Sequence, residues 1–320
     1  MHIHRWDLDR TYLDTDIHSV RGLIRSAFET AAEKRNIPGS ATLMRALASH
    51  DPGARLHVLS GSPTQMRRVL GEKLTMDGVK IERMILKDSL LNIRRGRLSA
   101  VREQVGYKLP MLLSERAGTA AAPVDSSVRE TLYGDDSESD AVIYAAYSAA
   151  VAGRIGERDI VRILDAAGAY PDVVALAVES LRRIRLAPAV EDIFIHLDRG
   201  SPLDGFVQLP GVTPVFSWFQ AAVVLWTRNR ISIDGLVETA RACSLEGKLA
   251  EAGLVGLVQD LARRRVVDVA TLVRLVGHDA LAPLRKPVLR SLVLLGEPPP
   301  PAPVRPTDFV AALSRPRPEG

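Results

Sequence analysis

The sequence is poor in the residues that would open several functional classes. Its single cysteine, Cys243, excludes an intrachain disulfide and any cysteine-built zinc site, and points to a reducing compartment, with the cytoplasm the expected location. Only seven of the 42 basic residues are lysines. No run of basic residues with interleaved aromatics occurs, which argues against dedicated nucleic-acid binding. Long apolar runs are missing too: the most apolar late stretch, VFSWFQAAVVLW at 215–226, is too short to span a bilayer and carries Gln220, so a buried helix is expected and no transmembrane segment. The first residues show no apolar signal-peptide region. There is no internal repeat.

What is present is a chain of 320 residues, 46 % apolar, long enough for one large or two modest domains with a well-buried core. The net charge is +4 and the pI about 9.3. Arginine carries most of the positive charge, and arginine-rich surfaces tolerate anionic partners.

Strand-like and helix-like segments alternate through the first half. MHIHRW leads into a run of aspartates, and VRGLIRSAFETAAEKR has helical apolar spacing. ATLMRALASH follows the turn at Pro38 and Gly39. RLHVL (55–59) reads as a buried strand and SPTQMRRVLGEKL as a helix with Pro63 in its first turn. VKIERMIL (79–86) is another strand, YKLPMLLSE a helix despite Pro110, and ETLYG (130–134) a strand. This alternation predicts βαβ units and a parallel sheet. Helices follow from 141, VEDIFIHLD (190–198) reads as a further strand, and 206–295 reads as helical throughout. The expected organisation is an α/β domain over 1–205 with a helical insertion near 150–188, a helical domain over 206–295 and a proline-rich tail over 296–320.

Four carboxylates crowd the stretch HRWDLDRTYLDTD: Asp7, Asp9, Asp14 and Asp16. Like charges this close repel, and Asp7 and Asp9 at one strand end need a metal ion, a lysine or solvent beside them. In open α/β sheets ligands sit at the carboxyl ends of the strands. Polar residues recur there: Asp7, Asp9 and Thr11 after the first strand, Ser60 to Pro63 (SGSP) after the second, Lys108 ahead of the fourth, and GDDSESD (134–140) at the end of the fourth. A hydroxyl-rich turn beside a helix N-terminus suits a phosphate.

The series DLDRT (7–11), IPGS (37–40), VLSGSP (58–63), Lys108 and GDDSESDAVIY (134–144) resembles the haloacid dehalogenase superfamily of aspartate-nucleophile phosphatases. The branch it resembles most is that of the actin-patch phosphatidate phosphatases. The resemblance covers about residues 1–145, and reaches 198 if DIFIHLD is the last strand; it leaves 206–320 unexplained. It implies a Rossmann-like sheet without a large cap and a Mg2+-dependent phosphatase. Asp7 would attack phosphorus to form an aspartyl-phosphate, and Asp9 would serve as acid and then base. Thr11, Ser60, Gly61 and Lys108 would hold the phosphoryl oxygens, with Mg2+ taking Asp7, the Asp9 backbone carbonyl, Asp135 and Asp140, the last directly or through water. Arg10 stands where that branch often has a third aspartate, and Asp136 replaces a serine; Arg10 is expected to face solvent. A site without a large cap suits a phosphoester that brings its own bulk, such as a phosphorylated lipid.

The plainer expectations are that Asp14 and Asp16 are solvated loop carboxylates, that His2 and His4 lie at a strand edge without a metal, that Trp218 and Trp226 are core, and that Cys243 is a small buried hydrophobe. An alternative of a different class is a catalytically silent phosphatase-like scaffold whose helical half binds a protein partner or forms a dimer contact. A phosphotransferase or phosphonate-type hydrolase on the same scaffold would share the nucleophile.

Overall fold

A computed structural model describes residues 1–15, 29–87, 104–118, 124–137, 139–294 and 307–314. Six strands lie in it: β1 (His2–Trp6), β2 (Ala54–Pro63), β3 (Arg83–Lys87), β4 (Arg129–Asp135), β5 (Val190–His196) and β6 (Val212–Val215). All pair in parallel, in the order β3-β2-β1-β4-β5-β6. The fold is therefore α/β with an open, all-parallel sheet of Rossmann-like order. Its order reverses between β1 and β4, and the crevice outside that switch point is where such sheets take ligands.

Alternation along the strands builds two cores. Trp6, Val58, Tyr133, Phe194 and Val215 face one side, and Leu59, Leu132, Ile193 and Ile195 the other. The first side is covered by α1 (Ser40–His50), α2 (Arg67–Met76), α7 (Trp218–Thr227), α8 (Ile233–Glu246), α9 (Glu251–Arg263), α10 (Val269–Gly277) and α11 (Ala282–Val293). The second is covered by α3 (Val105–Ala117), α4 (Asp140–Val151), α5 (Glu157–Ala166), α6 (Pro171–Arg183) and α12 (Phe309–Leu313). Helix α4 is apolar almost all round, with Ala and Tyr on every face, because sheet and helices enclose it. Helix α6 starts with Pro171, whose missing N–H costs nothing at a first helical position.

The expected helical stretch 206–295 begins with a strand instead. VTPV adds to the sheet edge as β6, and Pro214 is tolerated there because the outer side of an edge strand needs no donor. Four residues are too few to show an alternating pattern. The helices after it share one core with the sheet: Trp6, Leu8 and Val58 belong to the same cluster as Val258, Leu272 and Val288. Trp218 is fully buried, as expected, and its indole N–H donates to the Thr11 carbonyl at 3.0 Å. Cys243 is buried.

Other boundaries move. β2 runs on through Ser60–Pro63, so Pro63 closes a strand and a 3-10 turn at Thr64–Met66 intervenes before α2. β3 starts at Arg83, four residues later than its apolar pattern suggests. In the first predicted helix, residues 29–35 form a turn at 31–33 flanked by irregular chain, and the rest of that segment, with Asp16, lies outside the described residues. So do 88–103, 119–123 and most of the tail, and with them the expectation of no large cap.

His2 and His4 are buried on an interior strand rather than at an edge, because β1 has neighbours on both sides. Their rings lie 4.4 Å apart between centroids, tilted by 32°, with His2 on the Thr131 hydroxyl and His4 on the Tyr133 hydroxyl, each at 2.9 Å. On the other face Glu130 binds Arg5 through two bonds of 3.3 and 3.1 Å and also accepts from Arg116 and Tyr147. Burial pushes its carboxyl up, and the two arginines outweigh that and hold it below the usual range.

Burial and then Arg230 push the His2 imidazole from 6.5 down to about 4, and burial with Arg5 does the same for His57. The unfolded chain takes up these protons at a higher pH than the folded one, so stability is full above about 6.5 and is lost as pH falls towards about 4. Glu130, with its depressed carboxyl, loses stability in the same direction at lower pH still. The urea midpoint is expected to fall steadily from pH 7 to pH 4.5, and His57→Gln to lessen the slope; a flat profile in the wild type would contradict this reading of the buried histidines.

Candidate functional site

The site is assembled where β1 and β4 part. The Asp7 amide donates to the Tyr133 carbonyl at 2.9 Å, carrying the parallel ladder one residue past β1 and fixing Asp7 at the strand end. Asp135 is the last residue of β4, Asp140 the first of α4, and Lys108 lies in the first turn of α3. Asp135, Asp140 and Lys108 are 0 % exposed and Asp7 is 1 % exposed. The Lys108 ammonium bridges Asp7 Oδ1 at 2.9 Å and Asp140 Oδ1 at 2.6 Å. A cation in a helix's first turn opposes the helix dipole, whereas Asp140 in the first turn of α4 is favoured by it, so the carboxylates hold Lys108 there.

Carboxylate oxygens of Asp7, Asp135 and Asp140 lie within 4.8 Å of one another, the one such group among the described residues. Asp140 Oδ2 is buried with no hydrogen-bond partner. Gly134 makes room for it: a β-carbon there would stand 2.4 Å from Asp140 Oδ2 and 2.8 Å from the Tyr144 ring. Burial and then Asp140 push the Tyr144 phenol well above its ordinary range, so it stays neutral. The Thr11 hydroxyl sits between Asp7 Oδ2 at 3.4 Å and Asp135 Oδ2 at 3.3 Å, and Ser137 caps the other Asp135 oxygen through its amide at 2.6 Å. Thr11 thus bridges the two carboxylates.

Asp9 belongs to a different environment. Its Oδ2 accepts from Ser62 Oγ at 2.7 Å and Ser60 Oγ at 3.3 Å, and its Oδ1 from Thr15 Oγ1 at 2.9 Å. The Ser62 amide also donates to Ser60 Oγ at 3.0 Å. Ser60 is therefore directed at Asp9 in this structure. Gly61 leaves space for Gln104: a β-carbon would stand 2.4 Å from its amide nitrogen. These residues lie on the strand extension of β2, where its register against β3 shifts between Ser60 and Pro63, not at a helix N-terminus.

Around this centre the structure places residues that the sequence did not single out. Ser62 and Thr15 orient Asp9; both are hydroxyls inside motifs already noted, and only the partner was invisible. Lys87, buried at the end of β3, stands 5.7 Å over the Tyr107 ring; a lysine closing an apolar strand was the available signal. Arg10 does not face solvent. It is half-buried, takes a left-handed backbone with φ 58, and ion-pairs with Asp198. Asp136 accepts from the amides of Arg199 at 2.8 Å and Ser201 at 2.9 Å, binding the loop after β5 to the end of β4. Asp14 is exposed, as expected.

Comparison of the chain with protein-family models, with curated proteins and with solved structures gave no match. No helix of the described residues is long and apolar enough to cross a membrane.

The gap at Gly134 supports a direct test. Gly134→Ala forces Asp140 and Tyr144 apart and is expected to cost about 1–3 kcal/mol of stability by overpacking. Chemical denaturation reads this, and an unchanged midpoint would show that Asp140 does not need the space.

Proposed function

We propose that this chain is a phosphatase that hydrolyses a phosphomonoester through an aspartyl-phosphate on Asp7. The observation that carries the reading is the contrast between two carboxylates two residues apart: Asp7 lies buried against Lys108 at 2.9 Å, while Asp9 is held apart by three hydroxyls. Pairs of carboxylates in unlike environments are suited to unlike roles. An oxygen of Asp7 attacks phosphorus and the bond to the leaving oxygen breaks, with the Asp9 proton passing to that oxygen. Asp9 then takes a proton from water as the water oxygen attacks phosphorus, and cleavage of the bond to Asp7 frees phosphate and restores the Asp7 carboxylate and the protonated Asp9. Lys108 fixes the orientation of Asp7 and supplies positive charge beside the phosphoryl group.

The donor set fits Mg2+. Asp7, Asp135 and Asp140 would hold it with the Asp9 backbone carbonyl, all hard oxygen ligands. One feature of this chain favours it: Asp140 Oδ2 is buried without a hydrogen-bond partner, in a group whose carboxylate oxygens lie within 4.8 Å of one another. A buried carboxylate oxygen left without a partner is costly, and a cation would offset that cost. When bound, the ion neutralises charge on the phosphoryl oxygens. The haloacid dehalogenase resemblance rests on the spaced residues, and with it the choice of a phosphorylated lipid or another bulky phosphoester as substrate.

Release of phosphate from p-nitrophenyl phosphate and from phosphatidate, with Mg2+ and with a chelator, tests this. Asp7→Asn is expected to lower kcat on the order of a thousandfold or more, and Asp9→Asn by about 10²–10⁴. Chelation is expected to abolish turnover. Release unaffected by Asp7→Asn would sink the covalent mechanism, and inactivity on every phosphoester together with a defined partner for residues 206–295 would favour a silent scaffold.

A further inference from the structure

The loop after β5 lies at the carboxyl end of the sheet, where the Arg199 amide donates to Asp136, the residue next to Asp135. The Arg199 guanidinium is unlike its neighbours. Its Nε and Nη2 are both shielded from solvent, and neither has a hydrogen-bond acceptor. These two nitrogens form the edge with which an arginine grips a carboxylate or phosphate by two parallel bonds. The same edge is filled elsewhere in this chain: Arg5 uses it on Glu130 at 3.3 and 3.1 Å, and Arg182 on Glu157 at 3.0 and 2.7 Å.

The carboxylates nearby do not fill the vacant edge. Asp198 is paired with Arg10, and both oxygens of Asp136 accept backbone amides. Arg10 itself, between Asp9 and Thr11, leaves a buried Nε without an acceptor. A fourth shielded nitrogen, Nδ1 of His196 at the end of β5, is also without a hydrogen-bond partner. Leaving a buried charged donor unmatched is unfavourable, and these arginine nitrogens belong to residues of the loops that follow β1 and β5 at the carboxyl end of the sheet. These loops are reachable: Arg10, Asp198 and Arg199 are half-buried and Gly200 is exposed.

We propose that Arg199, with Arg10 beside it, forms a second oxyanion subsite next to the Asp7 and Asp9 centre. The preferred phosphoester then carries a further phosphate or carboxylate group near the scissile phosphoryl. The substrate half of this statement rests on the phosphatase reading; the binding half does not.

Calorimetric titration of the full chain with inorganic phosphate, methylenebisphosphonate and phosphonoacetate, in the presence of Mg2+, tests it. Using Asp7→Asn as the background keeps turnover out of the measurement. The ratio of bisphosphonate to phosphate affinity is expected to fall about tenfold in Arg199→Gln and less in Arg199→Lys, which keeps the charge and loses the two-bond edge. Phosphonoacetate tells a carboxylate from a second phosphate as the preferred group. A ratio that Arg199→Gln leaves unchanged, in a variant whose melting temperature matches the parent, overturns the subsite. So does wild type binding the bisphosphonate no more tightly than phosphate. If no phosphoester is hydrolysed and the ratio still falls in Arg199→Gln, the phosphatase reading fails and the subsite stands. If aryl phosphate is hydrolysed and the ratio is unchanged, the reverse holds.

Discussion

Everything at the carboxyl end of this sheet depends on how buried negative charge is balanced. Asp7, Asp135 and Asp140 are brought together away from water, where a carboxylate is costly unless it meets a cation or several donors. Lys108 reaches two of them, the Thr11 hydroxyl lies between two, and Gly134 gives up its side chain so that Asp140 can approach. Each solution comes from a different segment. The charge cluster therefore exists only if the parallel sheet, α3 and α4 are all in place, and a metal bound there would be bound by the folded state alone.

The rest of the fold serves this geometry from both faces. On one side the Trp6, Tyr133 and Trp218 rings pack together, with Trp6 stacked on Tyr133 at 4.0 Å, and the Trp218 N–H fixes the Thr11 carbonyl behind the carboxylates. The helices after β6 thereby become the backing of the loop that carries Asp9. On the other side the Arg5, Glu130, Arg116 and Tyr147 network lies under the sheet, a second buried charge group in which two arginines and a phenol share one carboxylate. The contrast is informative. One buried cluster closes on itself; the other leaves Asp140 Oδ2, and on its flank the Arg199 edge, without partners.

Much of the architecture was legible in the chain. Strands rich in Val, Ile and Leu alternating with helical spacing led to a parallel sheet, and Asp7, Asp9, Ser60, Lys108, Asp135 and Asp140 could be picked out because each follows or precedes such a strand at a turn. The structure gathers Asp7, Lys108, Asp135 and Asp140 into one group and sets Asp9 with Ser60 beside it. What was not legible shares a cause. Arg10 meets Asp198 across 188 residues, Thr15 and Ser62 meet on Asp9 from the loop after β1 and from the end of β2, and β6 is too short to carry a period.

The sequence by itself determined most of the elements, β6 excepted, and which residue types stand at their ends, since these follow from local periodicity, turn residues and the polarity of single positions. Only the tertiary structure decided the pairings: which carboxylate Lys108 bridges, that Ser60 turns towards Asp9, that Arg10 is held by Asp198, and that Arg199 keeps its two-nitrogen edge unfilled. Pairings depend on distances between segments far apart in the chain, and those distances are set by strand order and by how two cores pack against one sheet.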